Sequence, residues 1–178
     1  MPLGKKFSKY FLKEYGEHRW PKLKKSTTGY DPKTWTAQMF KILDKVADQM
    51  KLEWKQHEML RIDRAYYKGD SDCPILAVEH ENGFRGIWNS EIPRLMAVNA
   101  ELRVLICYAK ERKQRFMLQK QMKGKLNAEM RFGRFNNEFL LIMGREGEVF
   151  AREKESFEIY WYYPGVYEET LWKKRKQK

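Results

Sequence analysis

Ile75-Leu76-Ala77-Val78 runs without interruption into Glu79-His80-Glu81-Asn82. Four consecutive apolar residues, with Gly69-Asp70-Ser71-Asp72 before them and Gly83 and Gly86 after, read as a strand buried in the centre of a sheet. Ending such a strand in two glutamates is costly unless the charges are paired or used. Alternate residues of a strand share a face, so Glu79 and Glu81 project together and His80 projects to the other side.

The surrounding pattern supplies partners for that strand. Residues 59–68 alternate around Leu60, Ile62 and Tyr66, and the Gly-Asp-Ser-Asp turn predicts a hairpin with 74–82. Pairing then brings Asp63, in or at the end of the first hairpin strand, alongside the glutamates. Upstream, Trp35, Met39, Ile42, Leu43, Val46, Met50 and Trp54 recur at three- and four-residue steps, predicting a helix over 34–58 capped by Asp31 or Thr34. Downstream, 87–100 reads as helical, with Ile87, Glu91, Leu95 and Val98 on one face and Pro93 in an early turn.

A buried strand is expected over 102–108, a long basic helix over 111–130, and strands over 138–143 and Phe157–Tyr163. The order helix, strand, strand, helix, strand describes an α/β domain with a small mixed sheet between helices. The hairpin argues against a purely parallel sheet. Residues 1–33 read as a basic and aromatic N-terminal extension, in part a short helix. The core is expected over 34–108, a basic helix plus C-terminal strands over 109–171, and a basic tail over 172–178.

Composition narrows the function classes. With 42% hydrophobic and 15% aromatic residues, the 178-residue chain can build a real core. No run approaches the roughly 18 apolar residues of a membrane span, and Met1-Pro2-Leu3-Gly4-Lys5-Lys6 lacks the apolar stretch of a secretory signal. Cys73 and Cys107 have neither CxxC nor histidine spacing, so they read as reduced thiols of a cytoplasmic or nucleoid-associated protein. Lys and Arg number 36 against 24 Asp and Glu, a net charge of +12, which favours polyanionic partners. No GxxxxGK[ST] or GxGxxG occurs.

Asp63, Glu79 and Glu81 form a carboxylate set whose hard oxygens suit Mg²⁺ or Mn²⁺. The alternative is an exposed strand end whose glutamates pair with nearby Lys or Arg. A helix, a strand carrying an Asp, and an apolar strand ending in Glu-x-Lys or a variant, followed by a helix and a strand, resembles the PD-(D/E)XK, or restriction-endonuclease-like, nuclease superfamily. The resemblance spans roughly 34–108. It implies that Asp63 and Glu79 hold one or two divalent cations, with the His80 carbonyl as a further ligand, and that the reaction is metal-assisted hydrolysis of DNA phosphodiesters. Glu81 stands where the family has lysine, as in some restriction endonucleases, and would bind metal or accept a proton from the attacking water. That departure leaves two outcomes open: an active endonuclease, or a catalytically silent nucleic-acid-binding module of the same fold. The resemblance also admits a homodimer.

Other residues are secondary candidates. Glu53 and Glu58, from the preceding helix, could add an acid or be solvated charges. His80 is expected near Trp88 or bonded to Glu91. Lys110, Arg112, Lys113, Arg115, Lys120, Lys123 and Lys125, extended by Arg131 and Arg134, form a cluster able to follow a phosphate backbone. Arg85 could touch the scissile phosphate. Tyr160-Trp161-Tyr162-Tyr163 reads as core first and as a base-stacking surface second. A third class, an interaction protein that meets an acidic partner, fits the charge alone.

Overall fold

A computed structural model describes residues 1–19, 25–26, 29–30, 32–55, 61–82, 87–131, 137–145, 157–164 and 166–172. Its elements run α1 (Leu3–Glu17), β1 (Lys25–Ser26), β2 (Gly29–Tyr30), α2 (Pro32–Met50), β3 (Glu53–Trp54), β4 (Arg64–Tyr67) and β5 (Leu76–Glu81). A single π-helical turn (Ile87–Glu91) and α3 (Ile92–Ala97) follow, then β6 (Leu102–Ala109), α4 (Arg112–Arg131), β7 (Glu138–Arg145), β8 (Phe157–Tyr163) and β9 (Val166–Trp172). β1 and β2 pair only with each other, and β3 to β9 form one seven-stranded sheet in sequence order.

The sheet is mixed. β3, β4 and β5 make an antiparallel meander, β5, β6 and β7 run parallel, and β8 and β9 return antiparallel. Each parallel step needs a crossover. The π turn with α3 makes the first and α4 the second. Right-handed crossovers advancing in one direction put both helices on one face. The packing agrees: Ile87, Ile92 and Leu95 join Leu118, Met122 and Leu126 in one cluster, while α1 and α2 fill the cluster on the opposite face. Covered on both sides, β6 is buried at all eight positions, as its apolar run from Val104 to Cys107 predicts; Arg103, the one charged residue in it, is buried by donating to Leu95 O and Val98 O.

The helical stripe of 34–58 is real but shorter than expected. Trp35, Met39, Ile42, Leu43, Val46 and Met50 are all buried. The helix stops at Met50 because Lys51 takes a left-handed conformation (φ 59°), with its N–H on Asp48 O and that of Leu52 on Ala47 O. Trp54 therefore leaves the stripe for the edge strand β3, where it is 48% exposed. The first hairpin strand is also shorter. Arg61 is left-handed (φ 50°), so the strand begins only at Arg64, and Ile62 packs on the opposite side of the sheet from Tyr66.

The N-terminal segment contributes to the core. Phe7, Phe11 and Tyr15, spaced four apart on one face of α1, are buried; Phe7 stacks on Phe11 at 6.0 Å, and Phe11 and Tyr15 meet Phe157 edge-on at 5.3 Å and 4.8 Å. Glu138, at the start of β7, accepts from the Leu3 N–H (3.1 Å), the Gly4 N–H (2.7 Å) and the Trp161 indole (2.7 Å). A carboxylate at this end of α1 satisfies orphan donors and complements the helix dipole. Among the described residues no helix is long and apolar enough to cross a membrane.

Candidate functional site

The acids gather where β4 enters the sheet and β5 leaves it. β4 and β5 pair with Arg64 opposite Val78, and extending that register by one residue sets Asp63 opposite Glu79. The pairing is locked by the Asp63 carboxylate itself, whose Oδ2 accepts the His80 backbone N–H at 2.8 Å. Asp63 is thus held by the strand that carries Glu79.

Glu79 is 1% exposed, so it is not the exposed strand end considered from sequence, although it has the arginine partner that alternative expects, Arg94, and Glu81 is only half-buried. The Glu79 carboxyl lies within hydrogen-bonding reach of both Asp63 and Glu91. Burial, then the charges of Asp63 and Glu91, push its proton affinity up to a pKa of about 10, against the opposing pull of Arg94. Burial also raises Asp63, while the His80 N–H and Glu79 favour its charged form. The metal-free cluster therefore carries fewer charges than its carboxyl groups suggest.

Glu91 and Arg94 are the members that sequence reasoning missed. Glu91 closes the π turn and is 7% exposed. The signal was legible: Ile87, Glu91, Leu95 and Val98 share one buried face, and an acid among three apolar residues needs a reason. Arg94, from α3, grips Glu91 with two nitrogens at 3.3 Å each and reaches Glu79 Oε1 at 3.5 Å. Its Nη1 also donates to Arg61 O at 3.3 Å. One guanidinium thus joins α3, β5 and the left-handed residue that precedes β4.

Glu81 shares the Glu79 face, half-buried opposite Cys107 in the register with β6. Its charge, after burial, helps push the Cys107 thiol up. Among the described residues no three His, Cys, Asp or Glu side chains stand together closely enough to hold a metal ion in this arrangement. The side chains that face one another there are carboxylates, with the Arg94 guanidinium against two of them.

His80 points to the opposite face, as strand alternation requires, but not to the expected partners. Its Nε2 meets the Tyr108 hydroxyl at 2.9 Å, whereas Glu91 lies on the Glu79 side of the sheet. Packed among Phe40 and Tyr108, the imidazole is pushed by burial to a pKa of about 3. It is a neutral core residue, unsuited to act as a base on the acid face. Glu53 sits exposed on edge strand β3, opposite Tyr67, rather than on the helix. Glu58, Arg85 and Arg134 lie outside the described residues, and the Arg131 side chain does too.

The basic cluster divides by helical period. Lys113, Lys120 and Lys123 are exposed on α4, with Arg112 beside them and Phe116 60% exposed. Arg115 belongs to the buried stripe with Leu118, Met122 and Leu126. It donates to Ala109 O (3.3 Å) and lies 3.7 Å from Glu158, so it anchors α4 to the sheet rather than joining the exposed lysines. Tyr160, Trp161 and Tyr162 are buried, and Trp161 stacks on the half-buried Tyr163 at 3.8 Å, in line with the core reading.

Comparison with known proteins gives no match: no family model, no curated protein and no solved structure is similar to this chain.

Proposed function

We propose that the chain is a Mg²⁺- or Mn²⁺-dependent nuclease that hydrolyses DNA phosphodiester bonds, with a restriction-endonuclease-like core. The observation that carries this reading is Glu79: a carboxyl 1% exposed, at the end of a central strand, pressed against two further acids. Folding around such a group is unfavourable, and buried groups with strongly shifted protonation cluster at functional sites. The order α2, β3, β4, β5, π turn with α3, β6 contains the helix, strand, strand, helix, strand sequence of the resemblance with one short edge strand added, and Asp63 precedes β4 while Glu79 ends the apolar part of β5.

On this reading Asp63 and Glu79 hold the cation, with Glu91 or Glu81 completing the oxygen set. A divalent cation supplies Lewis-acid neutralisation of the scissile phosphate and a hydroxide source near neutral pH. The rest falls to the chain. The His80 N–H orients Asp63. Glu81, half-buried on the same strand face, accepts the proton of the attacking water. The exposed lysines of α4, a helix on the same side of the sheet as the acids, hold the phosphate backbone.

A second reading, a catalytically silent nucleic-acid-binding module, draws on two features: Glu81 in the lysine position, and a guanidinium already neutralising the acids. Incubation of supercoiled plasmid and single-stranded DNA with Mg²⁺, Mn²⁺ or EDTA separates the two. Metal-dependent nicking supports the nuclease. Salt-sensitive binding without cleavage in either metal supports the silent module.

A further inference from the structure

We infer that the outer face of α4 binds single-stranded DNA, with a base stacked on Phe116 and the phosphates held by Arg112, Lys113, Lys120 and Lys123. This rests on the DNA reading above and narrows it to an unpaired strand rather than a duplex.

The helical period makes these residues one surface. Leu118, Met122 and Leu126, with Arg115, face the sheet and are buried. Positions 113, 116, 120 and 123 follow one another at steps of three and four, so they form a second stripe on the far side of the helix. All four are exposed, as are Arg112 and Met117 beside them. Lys113 lies one turn before Phe116 and Lys120 one turn after it, about 5 to 6 Å along the axis in each direction. A ring that is 60% exposed therefore stands between cations. Among the described residues none of the four cations has an acidic partner. Glu111 is the one exposed acid of 111–128.

The arrangement suits an unpaired strand. Such a strand offers phosphates along its backbone and flat base faces beside them, which cations and an aromatic ring take up together. A duplex keeps its base faces in the stack and presents its phosphates, so it would use the cations and leave the ring in water. A lipid surface fits less well, because insertion takes a broad apolar face. The apolar stripe of α4 is committed to the sheet, which leaves Phe116 and Met117 outside. Gly124 lies on the same outer face, and a Cβ there would meet no described atom within 4 Å. Packing within the described protein thus gives no reason for a residue that weakens a helix, whereas bare backbone lets a bound strand come close.

The test is fluorescence anisotropy of a labelled single-stranded oligonucleotide, and of the same strand annealed to its complement. Native protein, Phe116→Leu and Phe116→Trp are compared in EDTA, each first checked for a native Tm. Native protein should bind the single strand more tightly than the duplex. Phe116→Leu keeps an apolar side chain without the ring, and should weaken single-strand binding about fivefold or more while leaving duplex binding unchanged. Phe116→Trp should bind the single strand at least as tightly as native. Equal or tighter binding of the duplex by native protein would overturn the inference and leave the DNA reading standing. So would single-strand binding that Phe116→Leu leaves unchanged, or a loss that falls equally on the duplex. Binding of neither form by native protein would overturn both. Retention on phosphatidylglycerol vesicles in that case would give the face to a lipid surface instead.

Discussion

Replacing Glu79 with glutamine should make the metal-free protein more stable. The unfolded chain ionises this carboxyl at an ordinary value near 4.5, whereas burial beside Asp63 and Glu91 pushes it to about 10 in the folded protein. Folding at pH 7.5 must therefore return a proton to Glu79 against about three pH units, roughly 4 kcal/mol at 1.36 kcal/mol per unit. Glutamine keeps the shape, still donates to Asp63 or Glu91, and removes that cost. Some of the gain will be lost to imperfect amide geometry, leaving about 2 to 4 kcal/mol. For a chain of this size that is roughly a 5 to 15 °C rise in Tm. The sign follows from the direction of the shift. An acid whose folded pKa is raised costs nothing below its unfolded value, and its penalty grows as pH climbs towards the folded one. Glu79→Gln should therefore gain little at pH 4.5 and most near pH 8, in urea unfolding with EDTA present. A gain independent of pH, or a loss of stability at pH 8, would refute the claim that Glu79 is an unfavourably buried acid.

Four further outcomes follow from the same structure. Neutral His80 stabilises the fold fully above about pH 6.5, and that contribution falls away as pH drops towards about 3. Native protein should lose about 2 to 3 kcal/mol between pH 6.5 and 4.5 relative to His80→Gln, read by urea midpoints at each pH. Gly4→Ala should lower stability by about 1 to 3 kcal/mol, because a Cβ there would lie 2.6 Å from the Trp161 ring and 3.0 Å from Glu138 Oε2; unchanged Tm would contradict the packing of α1 on β8. Changing Lys113, Lys120 and Lys123 together to glutamine should weaken DNA binding without altering Tm, and should reduce the salt slope by about 2 to 3. Arg115→Gln should instead lower Tm, since its guanidinium serves Ala109 O and lies by Glu158.

The strand and helix periods carried the fold far. The buried runs of β5, β6 and β8, the stripe of α2 and the hairpin between β4 and β5 follow from local sequence, because each element buries residues at its own repeat. What the periods could not give were the points where the backbone leaves them. Lys51 and Arg61 take left-handed conformations with no glycine or asparagine to announce it, and each shortens an element. α1 was underestimated for a different reason. Its lysines dominate the composition of the segment, while three aromatics four residues apart do the packing. At the site, strand parity placed Glu79 and Glu81 on one face and His80 on the other. The partners of those groups depend on the crossover helix: Glu91 left a trace as an acid on an apolar face, whereas the contact of Arg94 with Glu79 and Glu91 shows only once α3 lies across the sheet.

The most direct test of the central claim is cleavage of supercoiled plasmid in Mg²⁺ and Mn²⁺ by native protein, Asp63→Asn and Glu79→Gln, each first confirmed as folded by its unfolding transition. The nuclease account predicts that native protein nicks the plasmid only with metal, and that both variants bind DNA but do not cut it, the glutamine variant despite its higher Tm. Metal-dependent cutting retained in Glu79→Gln, or no cutting by the native protein in either metal, would contradict it.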